Sequence, residues 1–125
     1  MVLEEEEFLK ELEEEFYAES ESIFQSLEES LLRFEQAGEN SDLDEINQML
    51  HSMKGSAQAV DLDSLGSFLH KFETFIQEAN SQDRKLFVSH CLNYIDRLKD
   101  YVQRLSDGDD VSEVEAALNS VKTAA

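Results

Sequence analysis

The sequence predicts an all-α chain: an antiparallel four-helix bundle with an additional short C-terminal helix. Three observations lead there. Apolar residues recur at spacings of three and four along nearly the whole chain, no segment alternates apolar and polar residues as a half-buried strand does, and the 125 residues contain no proline. Spacings of three and four put apolar side chains on one stripe of a helix, and a bundle lets several such stripes leave water together. An apolar content of 41% suffices for one modest core, so residues 1–125 are expected to form a single domain.

The first helix is expected over about residues 5–36, with Phe8, Leu12, Phe16, Ile23, Leu27, Leu31 and Phe34 on its buried stripe. It should stop at Ala37-Gly38, because glycine adopts the left-handed conformation that closes a helix at little cost. Ser41 or Asp42 is the expected cap of a second helix over 41–60, whose stripe is Leu43, Ile46, Leu50, Met53, Ala57 and Val60. Leu62, Leu65, Leu69, Phe72 and Ile76 mark a third over 63–79. Only a tight turn fits at Asp61 between them, so the second and third helices should form an antiparallel hairpin. A fourth helix, 82–106, capped near Asn80 or Ser81, buries Phe87, Cys91, Tyr94, Leu98, Tyr101 and Leu105. After Asp107-Gly108-Asp109, the pair Asp110 and Glu113 forms a capping signature for an accessory helix over 110–122 carrying Val111, Val114, Leu118 and Val121.

Composition narrows the function. A net charge of -19 opposes direct binding to nucleic acid, whose phosphates demand basic surface. Much of the charge lies in Glu4 to Glu7 and Glu13 to Glu15, which read as a solvated helix face able to steer a basic partner. The single cysteine, Cys91, can form no internal disulfide and reads as a buried thiol of a cytoplasmic protein. No apolar run of membrane-spanning length and no secretory leader is visible, so direct membrane insertion is not expected. No glycine-rich phosphate cradle appears, and no cofactor is expected.

The stretch His51-Ser52-Met53-Lys54-Gly55-Ser56 carries the chemistry. His51 lies off the apolar stripe, with Asn47, Gln48, Lys54 and Gly55 as its helical neighbours, so it should face solvent from a polar strip. Glycine inside a helix costs roughly 1 kcal/mol relative to alanine, and close approach of a partner at Gly55 is the reason expected for it. Counting outward from Asp61 places His70 at nearly the level of His51, with Glu73 roughly 4.5 Å further along the axis, within reach of a long carboxylate. A neutral imidazole has one nucleophilic nitrogen and can attack phosphorus. A carboxylate on its other nitrogen, here Glu73, fixes the tautomer, and the Lys54 ammonium offsets phosphoryl charge.

On these residues the chain resembles histidine-containing phosphotransfer (HPt) domains over roughly residues 8–101. Phe68-Leu69-His70-Lys71-Phe72-Glu73 further resembles the N-terminal phosphoacceptor domain of chemotaxis-type histidine kinases, which pairs its phosphorylated histidine with a histidine and a glutamate on the next helix. The resemblance implies His51 as phosphoacceptor, supported by Lys54, His70 and Glu73, and departs from the family at Asp61, where glycine is usual. It implies two partners, the ATP-binding catalytic domain of a histidine kinase and the receiver domain of a response regulator. The surface expected to meet them comprises Asn47, Gln48, Ser52, Gly55, Ser56 and Gln58. The function expected is therefore phosphoryl carriage in two-component signalling, in a chemotaxis-type pathway or as a stand-alone carrier of a multistep phosphorelay. The chain, in which no nucleotide site is visible, is expected to be part of a histidine kinase or its substrate. Readings from other classes are a zinc site built from His51, His70 and Glu73, disfavoured by the neighbouring Lys54, and a purely structural helical interaction module.

Overall fold

The computed structural model describes residues 2–78 and 83–121 and is all helical, with no strand among the described residues. Its elements are α1 (Val2–Ala37), α2 (Asn40–Ala59), α3 (Asp63–Gln77), α4 (Arg84–Asp107) and α5 (Ser112–Ser120). The first four form the bundle. Helix α1 packs on α2 and α4, α2 packs on α3, and α5 lies beside α4.

The predicted stripes meet in one core containing Leu27, Leu31, Ile46, Leu50, Leu65, Leu69, Ile95 and Leu98, together with the buried Cys91. Aromatic pairs fill the seam between α3 and α4: Phe68 with Tyr101, Phe72 with Tyr94, and Phe75 with Phe87. The buried Tyr94 hydroxyl donates to the Phe68 carbonyl at 3.0 Å, so the ring enters the core without stranding its polar end. Phe8 departs from expectation at 63% exposed. Lys10, Glu13 and Glu14 lie across a groove from Leu105 and Ser106 at the end of α4, so Phe8 stands beyond the helix that could have covered it.

Helix ends differ from the sequence reading where a side chain had been given a cap. The N-cap of α2 is Glu39, not Ser41 or Asp42, and it makes no side-chain cap bond. Asp42 instead lies in the first turn, its carboxylate 3.4 Å from Arg33 of α1, which also reaches Glu45 at 3.1 Å. The cap of α4 is Asp83, whose carboxylate accepts from the Leu86 amide at 3.0 Å; the expected caps Asn80 and Ser81 lie outside the described residues. Helix α3 ends at Gln77 rather than Ala79, itself outside the described residues. Helix α5 runs over 112–120 rather than 110–122, although Asp110 does accept from the Ser112 amide as a capping residue should.

The α2–α3 turn is what sets the site. Asp61 adopts φ +63°, its amide donates to the Gln58 carbonyl, and the Leu62 amide reaches back to the Ala57 carbonyl at 2.9 Å. These two bonds make a Schellman ending with aspartate in the place glycine usually takes. The hairpin therefore closes as predicted, with a modest strain at Asp61. Helix α5 is tied down by Lys71 of α3, whose ammonium donates to the carbonyls of Leu118 and Asn119 at 3.1 and 3.3 Å, a cation on a helix C-terminus. Tyr101 donates to Glu115 at 3.1 Å; burial, then that carboxylate, push its hydroxyl up to about 12. No described helix is long and apolar enough to cross a membrane.

Candidate functional site

Burial of Ile46, Leu50, Met53 and Ala57 orients α2, and that orientation decides where its polar residues go. His51 follows Leu50 by about 100° around the helix, off the stripe and outward. Its side chain is 73% exposed. Lys54 sits one turn on, toward α3, with its side chain mostly covered.

Helix α3 contributes Glu73, the one charged residue among the buried residues described. Its Oε2 lies 3.7 Å from His51 Nδ1 and 3.3 Å from Lys54 Nζ. One carboxylate oxygen thus faces both groups. The ammonium is within ion-pair distance but off the direction a hydrogen bond needs, and the imidazole nitrogen is too distant for one, so Oε2 accepts no hydrogen bond among the described residues. A buried carboxylate oxygen without a donor is costly. The nearby Nδ1–H can satisfy it by a small ring movement, which favours the tautomer with the proton on Nδ1 and leaves the Nε2 lone pair toward solvent.

The remaining candidates divide. His70 is exposed and makes no hydrogen bond or ion pair among the described residues, so the geometry gathers Glu73 and Lys54 around His51 without it. Gln48, Ser52, Gly55 and Ser56 are exposed on α2 beside the histidine. A Cβ built on Gly55 would meet nothing within 4 Å, so internal packing does not require glycine there. Gln58 is exposed at its surface, yet its Cγ lies 3.1 Å from where a Cβ of the buried Gly66 would sit, so it also covers the close approach of α2 to α3. Asn47 is half-buried, and its Oδ1 is buried without a hydrogen-bond partner among the described residues.

Sequence reasoning missed two things here. It assigned Lys54 to phosphoryl charge and did not see that the ammonium already faces Glu73; the i, i+3 spacing showed only that Lys54 neighbours His51. It also passed over Gly66, where a glycine amid the apolar run of α3 was the available signal. No group of three or more His, Cys, Asp or Glu side chains able to hold a metal occurs among the described residues, so the zinc reading of His51, His70 and Glu73 lacks a geometric basis.

An exposed imidazole with one nitrogen directed at a buried carboxylate and the other free is equipped for nucleophilic attack. A family model described as "Hpt domain" matches residues 11–108 of the chain. No curated protein and no solved structure matches it.

Proposed function

We propose, since the chain belongs to the Hpt domain family, that His51 carries the phosphoryl group in this domain's phosphotransfer. The family's role is phosphoryl carriage in two-component signalling, and its partners are kinases and response regulators. On this reading the donor is ATP bound to a separate histidine kinase catalytic domain and the acceptor is an aspartate of a receiver domain. The observation that carries the assignment is the buried Glu73 carboxylate 3.7 Å from Nδ1 of an exposed histidine.

The Nε2 lone pair attacks the γ-phosphorus; the N–P bond forms as the bond to the β,γ-bridging oxygen breaks, and ADP departs. Positive charge spreads through the ring to Nδ1–H, which faces Glu73. In the second transfer an aspartate oxygen bonds phosphorus, the N–P bond breaks, and its electron pair returns to Nε2. Positioning and electrostatics supply most of the catalysis in such reactions, so a rigid bundle suffices as the carrier while magnesium belongs to the partners. His70 beside Glu73 supports a chemotaxis-type pathway through the resemblance of that segment, and a cytoplasmic site of action accords with such partners. Gln48, Ser52, Gly55 and Ser56 are the surface that both partners meet in turn.

The test is direct. With ATP, magnesium and a histidine kinase catalytic fragment, the chain should gain acid-labile, base-stable label; with ATP and magnesium alone it should gain none. His51→Gln should remove the label and leave helicity unchanged, because the position is outside the core. Equal labelling of the two chains overturns the assignment.

A further inference from the structure

Asn47 stands one turn before His51 on α2, and its Oδ1 is buried with no partner among the described residues. Buried carbonyls are rarely left unpaired, and packing alone is served better by an apolar side chain. The residue nevertheless keeps part of its surface exposed. With Oδ1 turned inward, the amide group left to face the exposed side is Nδ2, which has two N–H donors and no charge.

We propose that Asn47 is a phosphoryl-binding residue: its Nδ2 amide donates to an oxygen of the phosphoryl group on His51 and holds that group for transfer. The role rests on the assignment of His51 as phosphoacceptor. Residues four apart on a helix are neighbours, and helical side chains lean toward the N-terminus, so the His51 ring leans over the turn that Asn47 occupies. Lys54, on the other side, already faces Glu73 at 3.3 Å. Gln48 and Ser52 are also donors beside His51 but are exposed, whereas the Asn47 amide is the one held in place by a buried end. An incoming dianion on a chain of net charge -19 needs such a donor, and a neutral one orients the phosphoryl group without holding it against departure.

Two variants and one spectrum test this. Asn47→Leu removes both the donor and the stranded carbonyl, so its melting temperature should equal or exceed that of the wild type while His51 labelling by a kinase catalytic fragment slows about tenfold, equivalent to roughly 1.4 kcal/mol. Asn47→Asp, nearly the same shape, should slow labelling further, because it sets a carboxylate against the phosphoryl group. In the phosphorylated wild-type chain the side-chain amide resonances of Asn47 should shift, while those of Asn93, exposed on α4, stay in place. Labelling of Asn47→Leu at the wild-type rate per folded molecule, or an Asn47 amide unmoved by phosphorylation, overturns the role and leaves His51 as phosphoacceptor. A wild-type chain that takes no label, or one labelled equally after His51→Gln, overturns the His51 assignment itself.

Discussion

Replacing Gly55 should separate stability from transfer. The added Cβ meets open space, so the substitution disturbs no packing and acts first through helix propensity. Glycine inside a helix is less favourable than alanine by about 1 kcal/mol, and leucine recovers nearly as much. For a domain of this size a gain of about 1 kcal/mol corresponds to a rise of about 3–5 °C in melting temperature. Gly55→Ala and Gly55→Leu should both show that rise in thermal unfolding followed by far-UV circular dichroism. Transfer should move the other way. Gly55 lies exposed on α2 one turn beyond His51, where, on the proposed function, a partner must bring its reacting atoms to Nε2. A leucine there holds the partner away, and phosphoryl transfer should slow about tenfold or more in Gly55→Leu, with Gly55→Ala intermediate. Wild-type transfer by Gly55→Leu with both a kinase fragment and a receiver refutes the contact surface; a lower melting temperature refutes the claim that the glycine is structurally dispensable.

Glu73→Gln keeps the volume of the side chain and removes the carboxylate facing Nδ1, so labelling of His51 should fall about 10- to 100-fold with the fold intact; unchanged labelling, or an unchanged His51 tautomer by NMR, contradicts the role. His70→Ala, outside the cluster, should have the milder effect. Lys71→Met removes two donors from the C-terminus of α5, worth about 1 kcal/mol, and hydrogen exchange should quicken about fivefold over Ser112–Ser120 and not in the core; a change spread evenly over the chain would show that α5 is not held there. Asp61→Gly should raise stability by about 0.5–1 kcal/mol in urea unfolding, since φ +63° is strained for aspartate and free for glycine, whereas Asp61→Val should lower it by more than that. A loss on Asp61→Gly would mean that the aspartate side chain holds the turn.

The helices were legible because each carries its own apolar stripe, and burial of Leu27, Ile46, Leu69 and Leu98 follows from spacing alone. The ends were less so. Ser41 and Asp42 have the chemistry of caps, but Arg33 of α1 takes Asp42, and a partner nine residues away leaves no local mark in the sequence. Phe8 reads as core for the same reason: periodicity says which face is apolar, not where the neighbouring helix stops. Within the site, exposure of His51 and the reach of Glu73 could be counted from the turn at Asp61. The contact between Lys54 and Glu73 depends on how closely α2 and α3 approach, a distance set in part by Gly66 and not encoded in either helix alone, and the burial of the Asn47 carbonyl likewise arises only in the packed bundle.

If His51 is the phosphoacceptor proposed above, the division between fixed and free groups in this cluster bears on how one histidine can serve two partners. The backbone of α2 is held at both ends, by Arg33 on Asp42 and Glu45 at the start and by the Schellman bonds around Asp61 at the finish, and along its length by Leu50, Met53 and Ala57 in the core. His51 therefore starts from a fixed Cα while its ring stays in water, which on the proposed function leaves it open to a kinase and then to a receiver. If the orienting carboxylate were exposed as well, solvent would screen it and its direction would wander. Burial keeps Glu73 in one place and strengthens its pull on Nδ1–H, and Lys54 makes that burial tolerable by placing a positive charge beside it. The arrangement sets a carboxylate beneath the ring and leaves the rest of it exposed, which the proposed role as a carrier read by two different active sites would require.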